Sequence, residues 1–175
     1  LECAKNVETT IQTNSHGKIA AMICEPVMGV GGFITPPNDY FKEVTRIVHN
    51  YGGKYISDEV QTGAGRCGGD LLLSKELGID ADFITMAKGL TSAYAPLGAV
   101  AMKPEIAAAF DEHAFESGLT YTSHPISLAA AVANWFATLF AGRAPEALHR
   151  FLSAYIRYST HLSAYMFLAA NPYPA

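Results

Sequence analysis

"FITMAKGLTSAYAPLGA", residues 83–99, sets an amine at the end of an apolar run. Residues 83–87 have the length and character of a strand, Gly89 breaks the run, and residues 94–98 (YAPLG) make a turn. Lys88 therefore stands at a strand's carboxyl end. A lysine placed there for solubility needs no partner. One placed there for chemistry needs several, and the flanking sequence supplies them.

Upstream, residues 19–24 (IAAMIC) form a second apolar run, closed by Glu25-Pro26, and residues 54–60 (KYISDEV) form a third. Between them lies a loop, residues 27–37, with three glycines and two prolines. The loop leads into a helix marked by Phe41, Val44, Ile47, Val48 and Tyr51, with Asn38 as its expected cap and Gly52-Gly53 as its stop. Residues 61–69 read as a Gly-rich loop and 71–77 as a short helix ended by Gly78. Downstream, residues 97–102 (LGAVAM) read as a fourth strand. A helical stretch starts at Pro104, residues 115–125 form a loop, and a long Ala-rich helix runs from 126 to about 140.

Strands and helices in this alternation predict right-handed βαβ units and a parallel sheet. In such a sheet the carboxyl ends of the strands share one edge, where ligands bind. Glu25, Asp58 and Lys88 each lie at or beside such an end, so the pattern brings three ionisable groups to one rim. An amine attacks a carbonyl only when neutral, which desolvation favours, and Gly89 lets the backbone pass close to a bound ring or phosphate. Asp58 meets a complementary need, since a carboxylate holds a pyridinium nitrogen protonated. The strand period of two puts Asp58 and Val60 on one face and Glu59 on the other.

Composition narrows the class. In 175 residues, half are apolar and 16% are charged, which suits one domain with a sizeable core. A net charge of -4 without basic runs leaves no electrostatic footprint for nucleic acid or acidic membranes. Cys3, Cys24 and Cys67 form no CxxC pair, which suits free thiols in a reducing compartment, and the expected location is cytoplasmic. The first residues hold no charged-then-apolar leader, so no signal peptide is expected. Residues 117–142 lack Asp, Glu, Lys and Arg, but His124, Pro125 and Asn134 favour a buried or interface helix over a membrane span.

Four ordered motifs then carry a specific resemblance: "EPVMGVGG" (25–32), "SDEVQTGAGRCG" (57–68), "MAKGLTSAYAPLGAV" (86–100) and "GLTYTSHP" (118–125). Together they resemble the class III (ω-type) pyridoxal-phosphate aminotransferases, over roughly residues 18–136. The resemblance implies an α/β fold, part of the fold type I large domain, with a mostly parallel sheet and flanking helices. It implies a homodimer with the site between subunits, and pyridoxal 5'-phosphate as cofactor. It makes Lys88 the Schiff-base lysine, Asp58 the partner of the ring nitrogen, Val60 the residue packed on the ring, and Gln61 the partner of the ring hydroxyl. Thr120 would reach the cofactor phosphate of the partner subunit, and Glu25 would lie near the ring. The implied substrates are a small-molecule amino donor and a keto-acid acceptor. Val30 stands where ornithine and 4-aminobutyrate members carry a gating glutamate. A valine cannot pair with a substrate-binding arginine, which points to an ω-amino acid or amine as donor and to pyruvate or glyoxylate as acceptor.

Other features compete with this reading. Residues 63–68 match GxGxxG, but Gln61-Thr62 separate them from the strand and Asp58-Glu59 would repel a pyrophosphate. Asp111-Glu112-His113 point different ways on a helix, so no metal site is expected there. Arg66 reads as a brace for the Gly-rich loop, and Trp135 and Phe136 as core or interface. The motifs place a partial cofactor-binding large domain over 1–136 and a helical tail of uncertain relation over 137–175. The family's Gly-Ser-rich phosphate cup and small domain match nothing in the sequence. The alternative expectation is thus a catalytically silent fragment of such an enzyme.

Overall fold

The computed structural model describes residues 2–116, 118–120, 122 and 124–141. The chain divides into two compact units, residues 1–90 with 98–122 and residues 91–97 with 123–175.

The first unit is an α/β layer. In chain order it holds helix α1 (Glu2–Asn14), strand β1 (Ala21–Cys24), helix α2 (Tyr40–Asn50), strand β2 (Lys54–Asp58), helix α3 (Leu73–Glu76) and strand β3 (Phe83–Met86). Strand β4 (Ala99–Met102) and the short helices α4 (Pro104–Ala107) and α5 (Ala109–Glu112) follow. The four strands lie side by side in sequence order. β1, β2 and β3 run parallel, with Cys24 opposite Ser57 and Asp58 opposite Thr85. β4 is antiparallel to β3, with Met86 opposite Ala99. A parallel return requires a crossover along the sheet. Here β3 leaves and β4 enters at the same rim, so the fourth strand reverses.

The core lies between this sheet and the first two helices. Phe41, Val44 and Val48 of α2 recur at helical spacing and are buried, together with Ala4 of α1, Tyr55 of β2 and Ile79. Val7, Met22, Cys24 and Leu77 pack against them. Helix α1 had no counterpart in the sequence reading; its signal is the spacing of Ala4, Val7 and Ile11. Asn38 does not cap α2. The cap position is Asp39, whose side chain makes no capping bond, and the Tyr40 N–H donates to the Pro37 carbonyl at 2.9 Å. The prolyl turn already serves the entering backbone, so no side chain is called upon.

Opposite the carboxyl rim, a charged cluster fastens the sheet. Asp82, just before β3, is 3% exposed and accepts from the Tyr55 N–H (2.8 Å), from His49 Nε2 on α2 (2.7 Å) and from Lys54 Nζ on β2 (3.3 Å). Lys103 Nζ, just past β4, lies 3.6 Å from Asp82 and 2.8 Å from Asp80. Burial disfavours the Asp82 charge, but the Tyr55 hydrogen bond and the His49 and Lys54 contacts outweigh it and hold its pKa down to about 2.

In the second unit, helix α6 (Pro125–Ala141) buries Ser127, Ala130 and Asn134. Ser92 donates to Asn134 Oδ1 at 2.8 Å, and Thr91 Oγ1 donates to the Ala95 carbonyl at 2.6 Å. Trp135 and Phe136 pack edge to face at 4.8 Å and are each about half exposed. α6 runs across position 136, where the sequence reading placed a boundary. Residues 142–175 of the expected helical tail lie outside the described residues. Among the described residues no helix is long and apolar enough to cross a membrane, and no group of His, Cys, Asp or Glu could hold a metal ion.

Candidate active site at the carboxyl rim

The parallel register sets the rim. Glu25 follows the Cys24–Ser57 pair, Asp58 pairs with Thr85, and Lys88 comes two residues after β3 ends. Asp58 is half-buried, and its Oδ1 accepts from Thr85 Oγ1 and from the Val60 N–H, both at 3.1 Å. Among the described residues Asp58 Oδ2 takes no hydrogen bond. One oxygen is fixed and the other is open. Thr85 was not among the sequence-derived site residues; the signal was a lone hydroxyl inside the apolar run "FITMA".

The Val60 bond corrects one expectation. β2 ends at Asp58, and the chain turns there instead of continuing as a strand to Val60. An aspartate that bonds the backbone two residues ahead makes an Asx turn, which competes with the strand ladder. Asp58 and Val60 are joined by that turn and not by a shared strand face. Glu59 goes inward and is 1% exposed.

Lys88 opens a 3₁₀ turn, Lys88–Thr91, with φ at +36°, in the left-handed region that residues with a Cβ rarely adopt. The Leu90 N–H closes the turn onto the Ala87 carbonyl at 2.9 Å. Lys88 is exposed, so burial in this unit does not supply the desolvation that favours a neutral amine. Gly89, by contrast, is buried: a Cβ there would lie 2.8 Å from both Ala64 Cβ and Arg66 Nε. Arg66 Nε thus lies over Gly89.

Glu25 and Gln61 meet over Gly29. Glu25 Oε2 accepts from the Gly29 N–H at 3.0 Å, and a Cβ at Gly29 would fall 2.5 Å from Gln61 Oε1. Beyond it Val30 is fully exposed at the tip of a turn closed by the Met28–Ile34 bridge. Thr120 sits in an exposed turn, where the Thr122 N–H donates to the Leu119 carbonyl, and no described hydrogen bond joins it to Glu25, Asp58 or Gln61. The thiols nearest these loops are poor rivals to the amine. Burial pushes the Cys24 thiol up, against the Tyr55 hydroxyl beside it, and burial pushes Cys67 up as well, with Glu59 and Glu76 adding to it.

The donor set fits the ring end of a pyridoxal cofactor. It offers a carboxylate with one oriented oxygen and one open oxygen, a carboxamide seated over a glycine, and an amine at the next strand end. An α/β sheet with such a rim defines a class of proteins that bind ligands at strand ends. Residues 1–144 match the model of the class-III aminotransferases, and the chain belongs to that family. The family's cofactor is pyridoxal 5'-phosphate. The chain is 42% identical over 134 residues to a probable gamma-aminobutyrate transaminase 4 of Oryza sativa subsp. japonica, covering 74% of this chain and 28% of that one. It is 40% identical to a mitochondrial gamma aminobutyrate transaminase 1 of Solanum lycopersicum, covering 26% of its length. The chain thus spans about a quarter of the length of these relatives.

Solved structures agree on the fold. An (S)-enantioselective omega-transaminase from Thermomicrobium roseum matches with a TM-score of 0.74 and 38% identity, over 79% of this chain and 31% of that one. An S-selective transaminase from Arthrobacter sp. with alanine bound matches with a TM-score of 0.74 and 38% identity, over 79% and 30%. Residues 122–175 also match a domain of unknown function (DUF4389), which overlaps the aminotransferase match at 122–144.

Proposed function

We propose that this chain supplies the lysine-bearing part of a pyridoxal-phosphate-dependent transaminase that moves an amino group from an ω-amino acid or amine to a keto acid. The observation that carries the reading is Asp58: one oxygen is pinned by Thr85 and Val60 while the other stays open, on the strand beside the one that delivers Lys88. The cofactor, when bound, supplies an electron sink for the carbon that bears the migrating nitrogen. Asp58 Oδ2 would accept the ring N–H and keep that proton in place. Lys88 Nζ would be the cofactor's anchor and would hold and move a proton at the reacting carbon. Gln61 bonds the ring hydroxyl, Val60 packs on the ring and Glu25 braces Gln61 through Gly29. Thr120 serves the phosphate of the partner subunit in a homodimer. In domain terms, the cofactor-binding part is proposed over residues 1–136, with the tail of uncertain relation to the family continuing from it along α6.

Pyruvate or glyoxylate is the proposed acceptor. Val30 offers no charge to gate a substrate-binding arginine, and the Arthrobacter relative has alanine bound, the aminated form of pyruvate. A reducing compartment, the cytoplasm, is the proposed location, in keeping with three free thiols. A second reading is a catalytically silent fragment of such an enzyme, without the phosphate cup and small domain; it draws on the chain's span of about a quarter of its relatives' length.

The test is borohydride reduction of the whole protein in the presence of pyridoxal phosphate, followed by peptide mapping. The label is expected on Lys88. Label on Lys75 or Lys103, or none at all, rejects the assignment and leaves the silent reading. Given the label, half-reactions with pyruvate, glyoxylate and 2-oxoglutarate settle the acceptor; a clear preference for 2-oxoglutarate rejects the role given to Val30.

A further inference from the structure

We infer that Glu59 is a positioning residue for Lys88, its buried carboxylate fixing the 60–72 loop as the seat on which the Lys88–Gly89 backbone rests. The inference rests on the reading of Lys88 above. Glu59 is 1% exposed and forms no ion pair among the described residues. A buried carboxylate is costly, and an apolar side chain would fill the same space at less cost. Its hydrogen bonds show what it is used for. Glu59 Oε2 accepts from Thr62 Oγ1 and Oε1 from the Ser74 N–H, each at 2.5 Å. Thr62 opens the loop and Ser74 lies beyond it in the first turn of α3, so one side chain grips both ends.

The Glu59 backbone joins the same network. Its N–H donates to the Thr85 carbonyl at 2.9 Å, on the strand that leads to Lys88, and its carbonyl accepts from the Gly63 N–H at 2.8 Å. The loop so held bears directly on the lysine turn. A Cβ on Gly89 would lie 3.2 Å from the Gly63 carbonyl oxygen and 2.8 Å from Ala64 Cβ. Ala64 is itself left-handed at φ +61°, as is Lys88 at +36°. Ala64 sits against Gly89, the residue after Lys88, and such strained residues persist only where their surroundings dictate them. Glu59 is the buried group that dictates the loop side. Loss of its grip frees Thr62–Ala64, removes the support under Gly89, and lets Lys88 relax away from its present direction.

Glu59→Gln in the whole protein tests this. A carboxamide accepts from the Ser74 N–H through its oxygen but meets Thr62 with an N–H, so the Thr62 hydroxyl must reverse to accept and both bonds lose the carboxylate's charge. Amide hydrogen exchange without cofactor should quicken by about tenfold or more at Leu90 as well as at Gly63, because both protections share one opening. In the loaded protein kcat should fall about tenfold with KM for the amino donor nearly unchanged. The pH midpoint of the cofactor's absorption band should shift with kcat. Where the glutamine variant does not accumulate, Thr62→Val takes its place, with a smaller change of the same pattern expected. Faster exchange confined to α3, with Leu90 protection, the spectrum and kcat as in wild type, overturns the proposal. A wild-type protein that takes no label on Lys88 instead removes the functional reading, and exchange at Leu90 then decides the seat alone.

Discussion

Lys88 is held in a backbone conformation that costs a lysine on the order of 1 kcal/mol and costs glycine nearly nothing. Lys88→Gly should therefore raise the melting temperature slightly while abolishing the cofactor label, and Lys88→Ala should abolish the label without the gain. Thermal melts of the three proteins, run without cofactor, check this; a glycine variant less stable than wild type would show that the turn carries no strain. At this scale the sequence was informative where side-chain chemistry is explicit. The amine of Lys88 and the carboxylate of Asp58 at successive strand ends were legible. Thr85, which orients Asp58, and Glu59, which grips the loop, were not, because their roles depend on hydrogen bonds between neighbouring strands and across a loop.

At the scale of elements, α2 is the piece on which the sheet closes. Phe41 is 1% exposed at the centre of the cluster that joins α1, α2 and β2. Phe41→Ala should cost about 3–5 kcal/mol, read from the denaturant midpoint, because the side chain is lost and its cavity cannot fully collapse. An unchanged midpoint would mean that α2 does not carry the core. Strand and helix order could be read directly, since α2 shows five apolar residues at helical spacing. α1 could not, because only Ala4, Val7 and Ile11 mark its buried face and the rest is polar. The reversal of β4 was also hidden: strand direction depends on where the connection travels, and an apolar run such as "LGAVAM" has no polarity of its own.

At the scale of the first unit, the two rims of one sheet differ in purpose. Asp82 at the amino rim has its pKa lowered to about 2, so its contribution to stability is present above the ordinary aspartate range and is lost as pH falls through about 2. Stability should decline between about pH 4 and pH 2, and Asp82→Asn should flatten that decline. Chemical denaturation across the acid range measures it; equal slopes for wild type and variant would place the acid sensitivity elsewhere. The charges that fasten the strands lie at one end and the groups proposed for chemistry at the other, with the length of the strands between them. Such a layout favours divergence. Loops at the carboxyl rim can exchange residues and acquire new substrates while the fastening stays untouched, so descendants of one ancestor can differ in what they aminate and still fold alike.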